Sequence, residues 1–358
     1  ITLRLGSAER ARWVGFYNGT NLQVHLVRTS TAPTVMEVEG LGTGRTVHVR
    51  VDGGDLTAMA VAAAPLAIPL PMGADAYVTV YGVPGTRMVR APVDCSAAEG
   101  AAVRGHMEGG TCVLDADVED SVEILAPGLS VDCAGHRVHH AGSNNGAVGI
   151  TFTPFARATG VTNVLRNCRL SGWDQPVAMY VDHLQVVGNQ LEFTAPTLGD
   201  FTVGILVPFA LRADIRGNMV TGAFGAGIST LLHLAGGRAD VHDNTVEGPA
   251  LGIRLGMALV DEPGTLPPAE PSRVTANRVS TVDAGEGSAG ISVDAQDPWP
   301  AIRVDTNSVT SASVALAVTG KGLSAPSQAA LPRITRNNVA GSPGVRSTFA
   351  GAVMALEV

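Results

Sequence analysis

The sequence predicts an all-β protein in which a repeat solenoid follows a smaller β-rich domain. The first observation is composition: 43 glycines, 21 prolines and only 4% aromatic residues among 358 are typical of many short strands joined by tight turns. The second is a short asparagine-centred motif that recurs at intervals of 21 to 33 residues, as in repeat proteins. The third is the alternation of apolar residues around each motif, which indicates β-strands.

The recurring asparagine occupies a turn between two predicted strands. Residues 136–138 and 168–170 hold the same repeat position near the start. A strand of small-apolar-x-apolar type follows each motif, as in Gly290-Ile291-Ser292-Val293, and we call it the Gly-Ile-x-Val strand. An apolar pair precedes each motif, so each repeat supplies three strands. Repeats of about 30 residues with three strands predict a right-handed parallel β-helix of about eight coils over residues 94–358, with strands stacked about 4.8 Å apart. We expect these asparagines to form a ladder by bridging turn amides of adjacent coils: Asn189, Asn218, Asn244, Asn277, Asn307 and Asn337.

The repeat resembles the pectin-lyase-like superfamily of right-handed parallel β-helices. Cys112–Asp117 and Leu129–His136 are similar to the first coil of many secreted β-helix proteins. The resemblance implies a secreted or cell-surface protein. It implies little about activity, because this fold carries lyases, hydrolases, epimerases, adhesins and phage spikes.

Residues 1–93 have a different pattern. Alternating segments such as Trp13–Tyr17, Leu22–Val27 and Thr46–Val51 are separated by Asn-Gly and Asp-Gly turn signals, which favours antiparallel hairpins. We expect a small β-sandwich-like domain; the alternative is a β-rich cap on the first coil.

Charge argues against nucleic acid as a partner, and hydropathy argues against insertion into a membrane. The net charge is −8, the only lysine is Lys321, and no basic stripe is visible along the sequence, so nucleic acid is not expected as a partner. The most apolar stretch, Leu56–Met72, is interrupted by three prolines and is too short for a membrane span.

The four cysteines lack a C-x-x-C pair, which disfavours a zinc ribbon or a redox motif. An even number in a secreted protein favours a disulfide, and Cys95–Cys112 is the first choice. The alternative is four buried thiols, since cysteine also serves as a small core residue.

In the superfamily that the chain resembles, catalysis takes place on the outer face of the sheet built from the Gly-Ile-x-Val strands. Metal or acid–base chemistry there needs carboxylates close together. Asp182 and Asp294 are predicted four coils apart on this face, about 19 Å at the strand spacing. The remaining candidates are Arg254 on its strand and Asp294, Asp297 and Trp299 on the following loop.

These candidates permit a calcium or sugar site, with Trp299 and Tyr180 as stacking platforms. The alternative is that the acids are ordinary charged loop residues. No metal site is predicted, because His139 and His140 are adjacent on a strand and point to opposite faces. No other cofactor is expected.

Two features favour self-association. Tyr180, Leu206, Ala317 and Val353 are predicted to form an apolar strip on the outer sheet face, to be covered by loops or by a partner. Residues 351–358 are predicted as a last strand without a cap, and an uncovered strand edge pairs readily with another chain.

The function expected from the sequence is therefore a secreted or surface-exposed, non-catalytic β-helix protein with a structural, adhesive or self-assembling role. The enzyme alternative is a polysaccharide lyase or glycoside hydrolase acting at Arg254, Asp294 and Asp297. A third alternative is a passive carbohydrate-binding module.

Overall fold

The chain is described from a computed structural model, and the expectation of an all-β protein with parallel sheets is confirmed. Among the described residues every regular element is a strand, and none is a helix long and apolar enough to cross a membrane. The structure describes residues 2–6, 11–17, 22–28, 32–40, 46–51, 57–61, 65–70, 72, 75–81, 87–89, 98–99, 105–119, 121–124, 128–140, 148–152, 160–193, 202–233, 237–258, 271–282, 288–296, 302–311, 313–321, 333–340 and 345–349.

The chain divides into two compact units, of which the first covers Ile1–Thr86 and the second continues from Arg87. The sequence placed this boundary at residue 93. The strands of the first unit are β1 (Thr2–Leu5), β2 (Ala11–Tyr17), β3 (Leu22–Arg28), β4 (Thr34–Glu39), β5 (Thr46–Val51), β6 (Thr57–Ala60), β7 (Leu66–Leu70) and β8 (Asp75–Tyr81).

The first unit has two antiparallel sheets that share one apolar core. The three-stranded sheet has the order β1-β4-β7, and the five-stranded sheet has the order β2-β3-β8-β5-β6. Alternate residues along each strand point inward, so Met36 and Ile68 of the smaller sheet are buried in one cluster with Val24 and Val78 of the larger. The two antiparallel sheets therefore bury their inward side chains in one cluster.

The second unit contains the remaining strands. They are β9 (Arg87–Val89), β10 (Ala98–Glu99), β11 (Gly105–Glu108), β12 (Thr111–Leu114), β13 (Val122–Ile124), β14 (Ser130–Asp132), β15 (Arg137–His139), β16 (Val148–Phe152), β17 (Asn163–Arg166), β18 (Arg169–Ser171), β19 (Gln175–Met179), β20 (His183–Val187), β21 (Gln190–Phe193), β22 (Val203–Ala210), β23 (Arg212–Arg216), β24 (Met219–Gly222), β25 (Ala226–His233), β26 (Arg238–His242), β27 (Thr245–Glu247), β28 (Leu251–Ala258), β29 (Ser272–Thr275), β30 (Arg278–Thr281), β31 (Ala289–Gln296), β32 (Ile302–Asp305), β33 (Ser308–Ser311), β34 (Val314–Lys321), β35 (Arg333–Thr335), β36 (Asn338–Ala340) and β37 (Val345–Phe349).

These strands form three sheets that the chain visits in turn. From β13 onward every third strand joins the same sheet: an eleven-stranded sheet that ends with β37, a ten-stranded sheet that ends with β35, and an eight-stranded sheet that ends with β36. Pairing is parallel apart from β9 with β10 and β11 with β12. We call three successive strands, one from each sheet, a round.

In-register pairing stacks like residues above one another. In the ten-stranded sheet Ile215, Val241, Val274, Val304 and Ile334 are successive register partners, and each is at most 3% exposed. The alternate positions of the same strands point outward. Burial of such aliphatic columns contributes about 25 cal/mol per Å² of apolar surface removed from water.

The glycine of the Gly-Ile-x-Val strands is explained by close approach of neighbouring strands. A Cβ atom built on Gly252 would lie 2.3 Å from the carbonyl oxygen of Gly290 and 2.3 Å from a methyl carbon of Val279. The recurring glycine therefore marks a position where only hydrogen fits.

The last strand of the eleven-stranded sheet differs from the prediction. The partner of β34 is Val345–Phe349, whereas the sequence pattern predicted a strand over 351–358. That segment lies outside the described residues. The sequence interpretation chose the later of two glycines: Gly344 directly precedes Val345, which is the register equivalent of Ile291 through Leu316, but the strand was assigned from Gly351.

Candidate functional sites

Two of the candidate catalytic residues meet on the outer face of the eleven-stranded sheet. The guanidinium Nε of Arg254 on β28 lies 2.8 Å from Oδ2 of Asp294, and the side chains are 45% and 33% exposed. Asp294 is in strand β31, not in the predicted loop. Asp297 and Trp299 lie outside the described residues, so only an arginine and one carboxylate are shown together.

The in-register neighbours of this pair carry no charge. Arg254 lies between Ser229 and Ser292, and Asp294 is paired with Thr319. A second carboxylate close to Asp294, as acid–base cleavage of a glycosidic bond requires, is absent from these described register partners.

The predicted position of Tyr180 on this sheet is wrong. The register aligns Ala178 with Leu206, so Ala178, and not Tyr180, occupies the outward row. The row ends at Arg346, the partner of Ala317, where the sequence predicted Val353.

Tyr180 is also not available as a stacking platform for sugars. Its side chain is buried, with 6% of the residue exposed, and this burial raises the pKa of its hydroxyl. Leu206 is only 7% exposed. The apolar strip that was expected on the surface is therefore covered within the single chain at these two positions.

The repeat asparagines form a continuous ladder through the turns between the ten-stranded and eight-stranded sheets. In each step the side-chain Oδ1 of one asparagine accepts the backbone N–H of the asparagine one round earlier, as between Asn218 and Asn189 and between Asn244 and Asn218, at 3.0 Å. The same pattern continues to Asn337. All but Asn337 are at most 1% exposed, so the ladder satisfies polar groups in the interior.

The amide nitrogen of each ladder residue completes the pattern. Asn244 Nδ2 donates to the carbonyl of Ile215 one round earlier at 2.9 Å and to Oδ1 of Asn277 one round later at 3.0 Å. Each asparagine from Asn189 to Asn307 thus connects three successive rounds. The residue before each asparagine has a left-handed backbone, including Ala276 at φ 56° and Thr306 at φ 57°, and this bend turns the chain from one sheet into the next.

The ladder meets a disulfide at its N-terminal end. Asn189 Oδ1 accepts the N–H of Cys168 at 2.9 Å, and Cys168 is bonded to Cys133 with their Cα atoms 4.7 Å apart. The alternative of four buried thiols is therefore wrong: two cysteines 35 residues apart become neighbours because one round separates them. Cys112 is buried and Cys95 lies outside the described residues, so the Cys95–Cys112 pairing stays a prediction.

Three aspartates near the turns have lowered pKa values. Backbone donation from Arg137 lowers the pKa of Asp117. Burial by itself raises the pKa of Asp132, but hydrogen bonds from Ala134 N–H, Asn167 and Arg166 outweigh it and the net shift is downward.

The third aspartate is Asp305. Hydrogen bonding from Arg336 lowers its pKa, with a further contribution from the Thr335 hydroxyl at 3.0 Å. The same pairing raises the pKa of Arg336. These carboxylates hold strand ends and turns together, as their partners are backbone amides and residues of the adjacent round.

An arginine row on the ten-stranded sheet was not found from the sequence. Arg273, Arg303 and Arg333 occupy equivalent outward positions on β29, β32 and β35 and are direct register partners. All three are exposed, and adjacent members are about 4.8 Å apart along the stacking direction. The row contradicts the expectation that no basic stripe exists: the arginines are 30 residues apart in sequence, and only the repeat brings them together.

No metal centre is present in the part of the chain that the structure describes, where no three His, Cys, Asp or Glu side chains are placed to share an ion. The two adjacent histidines have separate contacts. His139 lies 3.9 Å from Glu119, and His140 stacks on Trp173 with ring centroids 5.1 Å apart.

Comparisons of the chain with protein-family models, curated proteins and solved structures find no match.

Proposed function

We propose that the second unit is a right-handed parallel β-helix of about eight coils, of the pectin-lyase-like kind. The order in which the chain visits three parallel sheets and the asparagine ladder between rounds support this architecture. The hand follows from the strong preference for right-handed connections between parallel strands of one sheet. Eight rounds run from β13 to β36 among the described strands.

The protein is proposed to act outside the cytoplasm, as a secreted or cell-surface protein. Its support is the Cys133–Cys168 disulfide, since such bonds persist mainly in oxidising compartments.

The proposed role is structural, adhesive or self-assembling, without catalysis. The observation that carries it is the ion pair between Arg254 and Asp294 on the sheet face where related β-helix enzymes bind substrate. The arginine is neutralised by its partner, and the described register neighbours, such as Ser292 and Thr319, supply neither an acid nor a base. A surface of this kind can hold a polymer, but Asp294 is the single carboxylate among these described register positions, and it is paired with Arg254.

We expect no unsaturated product when the protein is incubated with pectate, alginate or hyaluronan, with or without calcium. The measurement is absorbance at the wavelength of unsaturated uronates, together with a reducing-end assay for hydrolysis. Asp294→Ala and the distant surface variant Glu192→Ala should both match the wild-type baseline. Product formed by the wild type and lost only in Asp294→Ala would overturn the non-catalytic role.

The alternative is a polysaccharide lyase or glycoside hydrolase at Arg254, Asp294 and Asp297. It is favoured by the partial exposure of the Arg254–Asp294 pair, because exposed ion pairs are weak and a uronate carboxylate could displace Asp294. A passive carbohydrate-binding module using Trp299 would bind sugars at this face without product.

We also propose that the protein associates with further copies of itself. Light scattering over a range of concentrations should detect species larger than the 36.6 kDa chain. Val353→Asp with Leu356→Lys should abolish them, because charge added to the apolar sequence 351–358 opposes its association with another chain. The same two charges on Thr221 and Thr310, both on the eight-stranded sheet, provide the control. A wild-type protein that stays monomeric at high concentration would contradict assembly.

A further inference from the structure

The arginine row of Arg273, Arg303 and Arg333 lies on a different sheet from the Arg254–Asp294 pair. None of the three arginines takes part in an ion pair or a side-chain hydrogen bond with any residue that the structure describes. Three like charges at successive strand spacings repel one another. Nothing in the described fold requires arginine at these outward positions. The next residue on each strand, Val274, Val304 or Ile334, points inward and is buried.

Two described acids lie next to the row, and neither forms an ion pair with it. Asp240, the register partner of Arg273, is paired through Oδ2 with Arg238, and its Oδ1 is buried without a hydrogen-bond partner. Asp305, two residues after Arg303, accepts hydrogen bonds from Arg336 and Thr335. The guanidinium groups of the row are therefore left with their donors directed to solvent, in a line that follows the direction in which the strands stack.

We propose that this row is a binding site for a linear anionic polysaccharide, carboxylated or sulfated, that lies across β29, β32 and β35. Guanidinium groups bind carboxylates and sulfates through paired N–H donors. A polymer with an acidic group on each sugar offers repeated anions along its length, and the row offers three guanidinium groups at the strand spacing to pair with them. The rigid sheet fixes the arginine Cα atoms before the ligand arrives, which lowers the entropy cost of binding.

The local chemistry favours a glycan over nucleic acid. Single-stranded nucleic acids need aromatic side chains on which bases stack, and the register positions beside the row hold Thr275, Asp305 and Thr335. The net charge of −8 opposes non-specific attraction of a polyanion to the rest of the surface. Affinity should therefore depend on the row itself.

This inference deepens the proposed adhesive role and rests on it. The test compares Arg273→Gln/Arg303→Gln/Arg333→Gln with Arg137→Gln/Arg169→Gln/Arg278→Gln, in which three exposed arginines of the eight-stranded sheet are changed. Both triple variants alter the net charge equally, from −8 to −11. Titration calorimetry at several salt concentrations uses polygalacturonate, dextran sulfate and neutral dextran as probes.

The wild type should bind one or both anionic polymers and not dextran, and comparison of polygalacturonate with dextran sulfate identifies the acid that is preferred. The row variant should bind about tenfold or more weakly, with a smaller dependence of affinity on salt because fewer counterions are released. The control should stay within about twofold, and melting curves should show that both variants are folded.

Absence of binding to both anionic polymers, or an equal loss in the control, would overturn the site. Row-dependent binding of poly(dT) with no binding of either glycan would also overturn it and assign the row to nucleic acid. The chain length of the polygalacturonate after incubation separates the two proposals. Shortening contradicts the non-catalytic role, whereas lost binding without shortening contradicts only the arginine site.

Discussion

Asn244→Leu is expected to lower the free energy of unfolding by about 2–6 kcal/mol. Leucine removes the acceptor of the Asn218 N–H and the donor to the Ile215 carbonyl, which are buried inside the turn. Each buried polar group left without a partner costs about 1–3 kcal/mol. The loss should also reach Asn277, whose Oδ1 accepts from Asn244.

Urea unfolding followed by far-ultraviolet circular dichroism measures the change. Asn338→Leu is the matched control, because Asn338 is exposed and outside the ladder and surface substitutions usually change stability by less than about 0.5 kcal/mol. Equal midpoints for Asn244→Leu and the wild type would show that the ladder does not stabilise the fold.

Removal of the Cys133–Cys168 disulfide is expected to cost about 4 kcal/mol. The bond closes a loop with a sequence separation of 35 residues, and a cross-link of that span restricts the unfolded chain by about this amount. It also fastens the round that precedes the asparagine ladder, in which the N–H of Cys168 donates to the first ladder residue, Asn189. The double variant Cys133→Ser/Cys168→Ser should therefore unfold at a clearly lower urea concentration.

The single variants provide the control for this effect. Either Cys133→Ser or Cys168→Ser breaks the same bond, so each should lose most of what the double variant loses, and the two losses should not add. Additive losses would indicate that burial of each side chain, and not the cross-link, carries the stabilisation.

The sequence predicted those features that repeat as visible motifs. The ladder could be located because asparagine recurs in one turn position, from Asn189 to Asn337. Arg254 and Asp294 were singled out because the Gly-Ile-x-Val pattern places their strands on one sheet. In each case a local sequence pattern predicts how strands of adjacent rounds align. That alignment determines which side chains face outward.

Features that depend on contact between rounds were missed or misplaced. Cys133 and Cys168 are adjacent in space, but the first choice from the sequence was the pair Cys95–Cys112. Tyr180 was placed on the outer row because its strand, Gln175–Met179, has no glycine to mark the register. The arginine row could be recognised only by comparing one repeat position over three rounds. Taken singly, Arg273, Arg303 and Arg333 are ordinary surface arginines.

The connections that leave the eleven-stranded sheet have very different lengths, yet the strands that follow them stay in register. One residue separates β22 from β23, four (234–237) separate β25 from β26, and thirteen (259–271) separate β28 from β29. Asp214, Asp240 and Arg273 are nevertheless successive partners in the ten-stranded sheet. Because long loops add little entropic cost, this edge of the protein can accept grafted peptides of different lengths without disturbance of the framework. New binding specificities could evolve there while the stacked strands remain unchanged.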